Sequence, residues 1–244
     1  MIVNKVMINM LKDKVVIITG ASSGIGAATA IRLAKEGAII VIASRNIKGL
    51  DTVAEAIRKI KGQVMSIKVD IKNEGDIKDM ISIVKNKFGM IDAIINNAGV
   101  FYTGNIDEFD TNELDETLDI NLRGLYLCCK YAAQAMKKQK KGHIINISSG
   151  AGRQGRADRS AYAASKFGVI GITEAISEEL KPYNVKVTAI CPGPVNTPMH
   201  YKRKSKSELA KMLNPEEVAE LIAYTLSLGD NANITEVHLR PMQY

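Results

Sequence analysis

The 244-residue sequence has no tryptophan, and aromatic residues make up only 5% of it. Few rings are available as stacking platforms for nucleic-acid bases. Cysteine is scarce: Cys128 and Cys129 are neighbours and Cys191 is distant. Three thiols so placed form no disulfide framework and have no metal-like C-x-x-C spacing. They read as buried thiols in a reducing compartment. No apolar run approaches the ~20 residues of a membrane span. Residues 1–14 alternate Ile, Val and Met with Asn and Lys, without the unbroken apolar run and cleavage site of a secretory leader. The expectation is a soluble, cytoplasmic protein with no membrane or nucleic-acid partner and no metal site.

What is present is ordinary in bulk. Hydrophobic residues at 46% and charged residues at 24% exclude collagen, low-complexity disorder and a small disulfide scaffold. The net charge of +7 is concentrated in two patches. Lys137, Lys138, Lys140 and Lys141 contribute +4; Lys202, Arg203, Lys204, Lys206 and Lys211 less Glu208 contribute another +4. The rest of the chain therefore carries −1. Two patches do not make a basic nucleic-acid-binding protein. The first reads as a solvated turn, and the second is a narrow hint about substrate charge.

Short β-branched apolar runs alternate with amphipathic stretches throughout. Residues 15–18, 38–43, 64–69, 91–95, 143–147 and 185–190 read as parallel strands buried on both faces. Residues 25–36, 47–61, 74–88, 113–138, 160–181 and 215–228 read as helices, the last with Asn214 as N-cap and Pro215 in its first turn. A last short strand is expected at 235–239. The alternation implies a single α/β domain over residues 1–244: a Rossmann-type doubly wound parallel sheet of about seven strands flanked by helices. Residues 1–11 form an N-terminal extension. Two long loops follow strand ends, at 98–112 and 191–214, where open α/β sheets bind ligands. Residues 192–214 are the expected substrate loop.

The first strand runs into Thr19-Gly20-Ala21-Ser22-Ser23-Gly24-Ile25-Gly26. Glycines there permit a tight turn and close approach of backbone to a pyrophosphate, and the following helix start supplies N–H groups and a favourable dipole. Gly20, Ser22, Ser23, Gly24, Ile25 and Gly26 are thus candidate dinucleotide contacts. No Lys follows the last glycine, so the turn is not a P-loop. At the end of the second strand stand Ser44 and Arg45, where an NAD site usually has a carboxylate. A guanidinium favours a 2′-phosphate, so NADP(H) is expected, with NAD(H) as the alternative. Asp70 is a candidate acceptor for the adenine amino group. Asn97, Ala98 and Gly99 close the fourth strand with small residues suited to cofactor approach, and Asn side chains there can tie strands together. Tyr162 and Lys166 lie four apart on one helix face. An ammonium beside a phenol favours the phenolate and prepares it for proton transfer. Ser149 ends the fifth strand thirteen residues earlier, within reach of that helix start.

In order and spacing these residues resemble the short-chain dehydrogenase/reductase family, from about Lys12 to Leu239. The motifs are Thr19–Gly26, Asn96–Gly99, Asn121, Ser149, Tyr162-x-x-x-Lys166 and Pro192-Gly193. The resemblance implies a nicotinamide-dependent oxidoreductase acting on a secondary alcohol or ketone. Tyr162 would be the general acid/base, and Lys166 would bind the nicotinamide ribose and lower the Tyr pKa. Ser149 would hold the substrate oxygen, and Asn121 a water in a proton relay. Pro192, Gly193, Val195 and Thr197 would flank the nicotinamide. It also implies a homodimer or homotetramer, built partly on the 121–138 and 160–181 helices, with Gly168 and Gly171 allowing close packing. The terminal Arg240-Pro241 resembles the branch of NADP-dependent serine and 3-hydroxy acid dehydrogenases. A 3-oxoacyl-carrier-protein reductase-like enzyme and a catalytically silent dinucleotide-binding protein are the alternatives.

Overall fold

The computed structural model describes residues 11–201 and 203–243. Most of the predicted N-terminal extension, residues 1–10, lies outside the described residues, as do Lys202 and Tyr244. Among the described residues the strands are β1 (Val15–Thr19), β2 (Ile39–Ser44), β3 (Gln63–Lys68), β4 (Ala93–Asn96), β5 (Gly142–Ile147), β6 (Val185–Pro192) and β7 (Glu236–Leu239). They form one sheet in the order β3-β2-β1-β4-β5-β6-β7, with every pairing parallel. The order reverses between β1 and β4, so their carboxyl ends frame a crevice.

The helices are α1 (Gly24–Lys35), α2 (Ile47–Lys59), α3 (Glu74–Phe88), α4 (Thr111–Leu118), α5 (Leu125–Gln139), α6 (Ser160–Leu180), the short α7 (Pro198–Tyr201) and α8 (Lys206–Leu209), and α9 (Pro215–Ser227). Strand side chains alternate between two cores. Val16, Ile18, Ile40 and Ile42 meet Leu33, Ile57 and Ile222 of α1, α2 and α9. Val15, Ile17, Val41 and Ile94 meet Met80, Cys128 and Val169 of α3, α5 and α6. This is why the central strands read as unbroken apolar runs. All three cysteines are free and buried. No helix among the described residues is long and apolar enough to cross a membrane.

The expected start of the 215–228 helix is found: Pro215 opens α9, and the Asn214 N–H donates to Glu217 Oε2 at 2.7 Å. Three expectations are corrected. The third strand is not buried on both faces: β3 is a sheet edge with exposed residues at Gln63, Ser66 and Lys68. The 113–138 helix is broken into α4 and α5 by a π-helical turn at Asp119–Gly124. Two close fits hold that turn. The Asn121 side chain bonds the backbone of Val100, and a Cβ at Gly124 would lie 2.6 Å from the Ile71 carbonyl oxygen. The substrate loop is not irregular throughout: β6 reaches Pro192, and α7 and α8 lie inside the loop. Its base is pinned, because Asn196 N–H donates to the Leu213 carbonyl at 2.8 Å and Leu213 N–H to the Pro194 carbonyl at 3.0 Å.

One buried polar pair within the sheet has a pH consequence. His143 on β5 lies 2.8 Å from Thr188 Oγ1 on β6. Burial, with a smaller push from Lys186, lowers its pKa from 6.5 to about 3. Below pH 6.5 the unfolded chain takes up a proton that the native ring refuses. Stability therefore falls as pH drops from about 6.5 toward about 3. His143→Gln should flatten this slope by up to about 1.4 kcal/mol per pH unit, measured by urea denaturation at several pH values. An unchanged slope would assign the acid sensitivity elsewhere.

Candidate active site

The cleft begins where β1 and β4 diverge. Thr19 is buried, and its hydroxyl donates to the Ile95 carbonyl at 3.4 Å while accepting from the N–H groups of Asn97 and Ala98 at 3.1 and 3.2 Å. The Asn97 amide donates back to the carbonyls of Thr19 and Gly20. The two strand ends are thus one hydrogen-bonded unit. Gly20 has φ +65, and a Cβ there would lie 2.7 Å from Ala98 Cα. Gly26 does not line the cleft; it lies beneath, where a Cβ would meet Asn97 Nδ2 at 2.6 Å and the Gly20 carbonyl oxygen at 2.7 Å. Helix α1 starts with no side-chain cap from Ser23 and no acidic residue in its first turn. By contrast, Asn46, Asn73 and Asp110 cap α2, α3 and α4 with their side chains. The uncapped N–H groups and dipole of α1 face a cleft of about 280 Å³ lined by Gly20, Ser22, Ser23, Gly24 and Ile25. That donor set and its close-fitting glycines suit a dinucleotide pyrophosphate.

Ser44 and Arg45 line the far end. Ser44 Oγ donates to Ser22 Oγ at 3.0 Å. Arg45 is half exposed and sits between two carboxylates, 3.8 Å from Asp70 and 4.0 Å from Glu116. Asp70 accepts from the Lys72 N–H at 3.0 Å. Its neighbours Val69 and Ile71 line the cleft, and Asp70 itself does not.

At the other end β5 meets α6. Ser148 Oγ donates to the Lys166 carbonyl at 3.0 Å, and Lys166 Nζ donates to the Ile147 carbonyl at 2.9 Å. A Cβ at Gly152 would strike Ser148 Oγ at 2.5 Å, so only glycine fits over this joint. Deeper in, Asn96 donates to Asn146 Oδ1 at 2.8 Å, and Asn146 donates to Thr173 on α6 at 2.9 Å. Asn side chains do tie the strands, and they tie the helix as well. Tyr162 is thereby held over the strand end, beside Ser149 on the cleft wall. Lys166 Nζ lies 5.7 Å from the centre of its ring.

Burial pushes the Tyr162 phenol above its ordinary value, while the Ser149 hydrogen bond and the charge of Arg159 pull it down. Burial lowers Lys166 to about 8. In this structure Ser149 and Arg159 supply the downward pull on Tyr162. Asn121 is also placed differently. Its amide donates to the Val100 carbonyl at 2.9 Å and to Ser165 Oγ at 3.2 Å, and it accepts from Val100 N–H at 2.8 Å. Both amide hydrogens are used, so the side chain clamps the backbone behind Tyr162.

Ala98, Gly99, Pro192, Gly193, Val195 and Thr197 complete the cleft wall. Gly193 N–H donates to the Leu239 carbonyl at 2.7 Å, and a Cβ on Gly193 would press Pro241 at 2.9 Å. The Arg240-Pro241 tail therefore packs beside the site. Gly168 faces Leu122 of its own chain, where a Cβ would come within 2.6 Å; Gly171 faces open space. Sequence reading missed Thr19 as a latch, Gly152 as a spacer, and Phe101, whose ring meets Tyr162 edge-on at 4.8 Å. A hydroxyl at a strand end and a second glycine two residues past Gly150 were the available signals for the first two. Phe101 had none.

An open α/β sheet with an uncapped glycine-rich turn and a Tyr–Lys–Ser cluster at its carboxyl edge defines a dinucleotide-binding oxidoreductase site. The short chain dehydrogenase family model matches residues 14–208. An uncharacterized oxidoreductase of Staphylococcus aureus (strain MW2) is 34% identical over 233 residues, 96% of this chain and 99% of the relative. A short-chain type dehydrogenase/reductase from Mycobacterium marinum superposes with a TM-score of 0.91 at 27% identity, covering 97% of both chains. A metagenomic short-chain oxidoreductase in complex with NADP superposes with a TM-score of 0.84 at 33% identity, covering 96% of this chain and 99% of the other. The chain belongs to the short-chain dehydrogenase/reductase family and is an oxidoreductase that binds a nicotinamide dinucleotide.

The glycine cradle yields a direct test. Gly26→Ala should weaken dinucleotide binding by about tenfold or more and cost about 1–3 kcal/mol of stability, as expected for overpacking against backbone. Fluorescence titration with NADPH and a urea melt measure both; wild-type affinity would remove Gly26 from the cradle.

Proposed function

We propose that the protein transfers a hydride reversibly between NADP(H) and a secondary alcohol/ketone pair, using Tyr162 as general acid/base. The observation that carries this reading is the placement of Tyr162 beside Ser149 and Lys166 at the end of β5, on the wall of the dinucleotide cleft. A bound nicotinamide supplies or accepts the hydride. The chain's own groups do the rest. Ser149 and Tyr162 receive the substrate oxygen in hydrogen bonds. In reduction the Tyr162 hydroxyl gives its proton to that oxygen; in oxidation the phenolate takes it back. The phenol keeps its proton at neutral pH, and the pull of Ser149 and Arg159 offsets part of the burial that weakens it as an acid. Lys166, held on the Ile147 carbonyl, presents its amine beside the same cleft, where a nicotinamide ribose would reach it.

Ser44 and Arg45 at the end of β2 support NADP(H), as does the NADP complex of the metagenomic neighbour. A 2′-phosphate would draw Arg45 away from Asp70 and Glu116. A silent dinucleotide-binding protein would need the glycine cradle alone, not the buried joint that positions Tyr162. A small hydroxy acid or similar compound is the proposed substrate, with a 3-oxoacyl-carrier-protein reductase-like enzyme as the alternative. Exposed Tyr126 on α5 and Phe167 on α6 support a homo-oligomer built on those helices, and Gly171 leaves room there for close approach. Three buried thiols suit a cytoplasmic setting.

Tyr162→Phe should lower kcat by about 100-fold or more, the usual scale of general acid/base loss, while NADPH titration still shows binding. Full turnover in that variant would sink the mechanism. Arg45→Asp should move the ratio of kcat/KM toward NADH by about tenfold or more, since a carboxylate repels the 2′-phosphate and accepts the ribose hydroxyl. An unmoved cofactor ratio would remove Arg45 from the assignment.

A further inference from the structure

Beyond Tyr162 the cleft opens into a second cavity of about 520 Å³. Arg156, Arg159, Arg203, Lys204 and Arg240 line it, against a single carboxylate, Asp158. Asp158 lies 3.4 Å from Arg159, and Lys204 pairs with Glu208 at 2.8 Å. Every arginine ion pair among the described residues uses Arg32, Arg45, Arg153 or Arg159. Arg156, Arg203 and Arg240 therefore hold no carboxylate among the described residues.

The guanidiniums are gathered rather than scattered. Arg159 and Arg203 both stand over the Phe101 ring, at 5.6 and 5.1 Å from its centre. That ring is the one touching Tyr162. Arg203 is fixed by donating to the Phe101 carbonyl at 2.5 Å. Asp158 adopts a left-handed φ of 60, and its carbonyl accepts from the Gly104 N–H, which joins the Arg159 loop to the Phe101 loop. Both charges line the same cavity, and an anion bound there would offset their mutual repulsion. His200, 5.7 Å from Phe101, registers the same field. Burial lowers its proton affinity, and Arg159, Arg203 and Lys204 each lower it further.

We propose that this cavity holds the anionic end of the substrate, a carboxylate or phosphate gripped by Arg159 and Arg203 with Arg156 behind them, while the carbonyl reaches Tyr162. The inference rests on the hydride-transfer reading above and specifies its substrate class. A guanidinium fork suits both anions. The volume lies within the usual range of ligand pockets, so the cavity has room for more than a three-carbon hydroxy acid. Charge focused in a walled cleft also speeds capture of an anion.

Three matched ketones test it with NADPH: para-acetylbenzoate, para-acetylphenyl phosphate and para-acetylbenzamide. Each anion should exceed the neutral amide by about tenfold or more in kcat/KM at low salt, chiefly through KM, with the advantage shrinking as salt screens it. The larger of the two anionic effects identifies the group. Arg203→Gln and Arg156→Gln should each lower the anion-to-amide ratio, and the pair together should lower it further, with Arg159 holding the remainder, in variants whose melts match wild type. Parity of the three ketones in the wild type, or a ratio untouched by both substitutions, overturns the proposal. Saturation-transfer NMR of the same compounds separates the two claims. Preferential anion binding without turnover keeps the pocket assignment and rejects hydride transfer to these ketones; equal binding of the amide rejects the pocket whatever the turnover.

Discussion

The site depends on a reciprocal joint between one strand end and one helix. Ser148 gives its hydroxyl proton to the Lys166 carbonyl, and Lys166 gives an ammonium proton to the Ile147 carbonyl. Each residue satisfies a main-chain group of the other's element. Such buried bonds are costly to leave half made, so helix and strand have one favourable register. Tyr162 lies one turn before Lys166, and Ser149 one residue after Ser148. Their approach follows from that register. The same logic operates at the other end, where Thr19 and Asn97 lock β1 to β4.

Lys166 is thereby occupied in two ways. It is buried, which lowers its proton affinity, and its charge is met by a carbonyl dipole rather than a carboxylate. A buried ammonium with no counter-ion close by is unfavourable in the free protein. The Nζ that helps to build the joint is also the atom that the proposed function assigns to the nicotinamide ribose.

Much of this was legible in the sequence, for identifiable reasons. Glycines at 20 and 24 are demanded by backbone with positive φ, and such demands leave a local signature. The central strands announce themselves because both faces are buried. The π-helical turn left no trace, since it arises from Asn121 reaching Val100, twenty-one residues away; a 3.6-residue pattern averages over one extra residue. The edge position of β3 is a property of the sheet, not of the strand. Arg45 was visible, but its neighbours Asp70 and Glu116 come from distant segments. The gathering of Arg159 and Arg203 on Phe101 likewise joins three loops far apart in sequence, and only the second basic patch hinted at it.

The three buried thiols act as clocks as well as core residues. Cys128 and Cys129 sit in the layer between α5 and the sheet, and Cys191 lies on β6 behind the site. Burial holds all of them well above the ordinary thiol value, so in the native state they offer neither access nor thiolate to an alkylating reagent. Modification must wait for an opening event. The rate at which each becomes labelled would therefore measure how often its own part of the molecule breathes, with no probe to be engineered in. Two regions would report separately: the helical layer that braces the sheet, and the strand whose end carries the substrate loop.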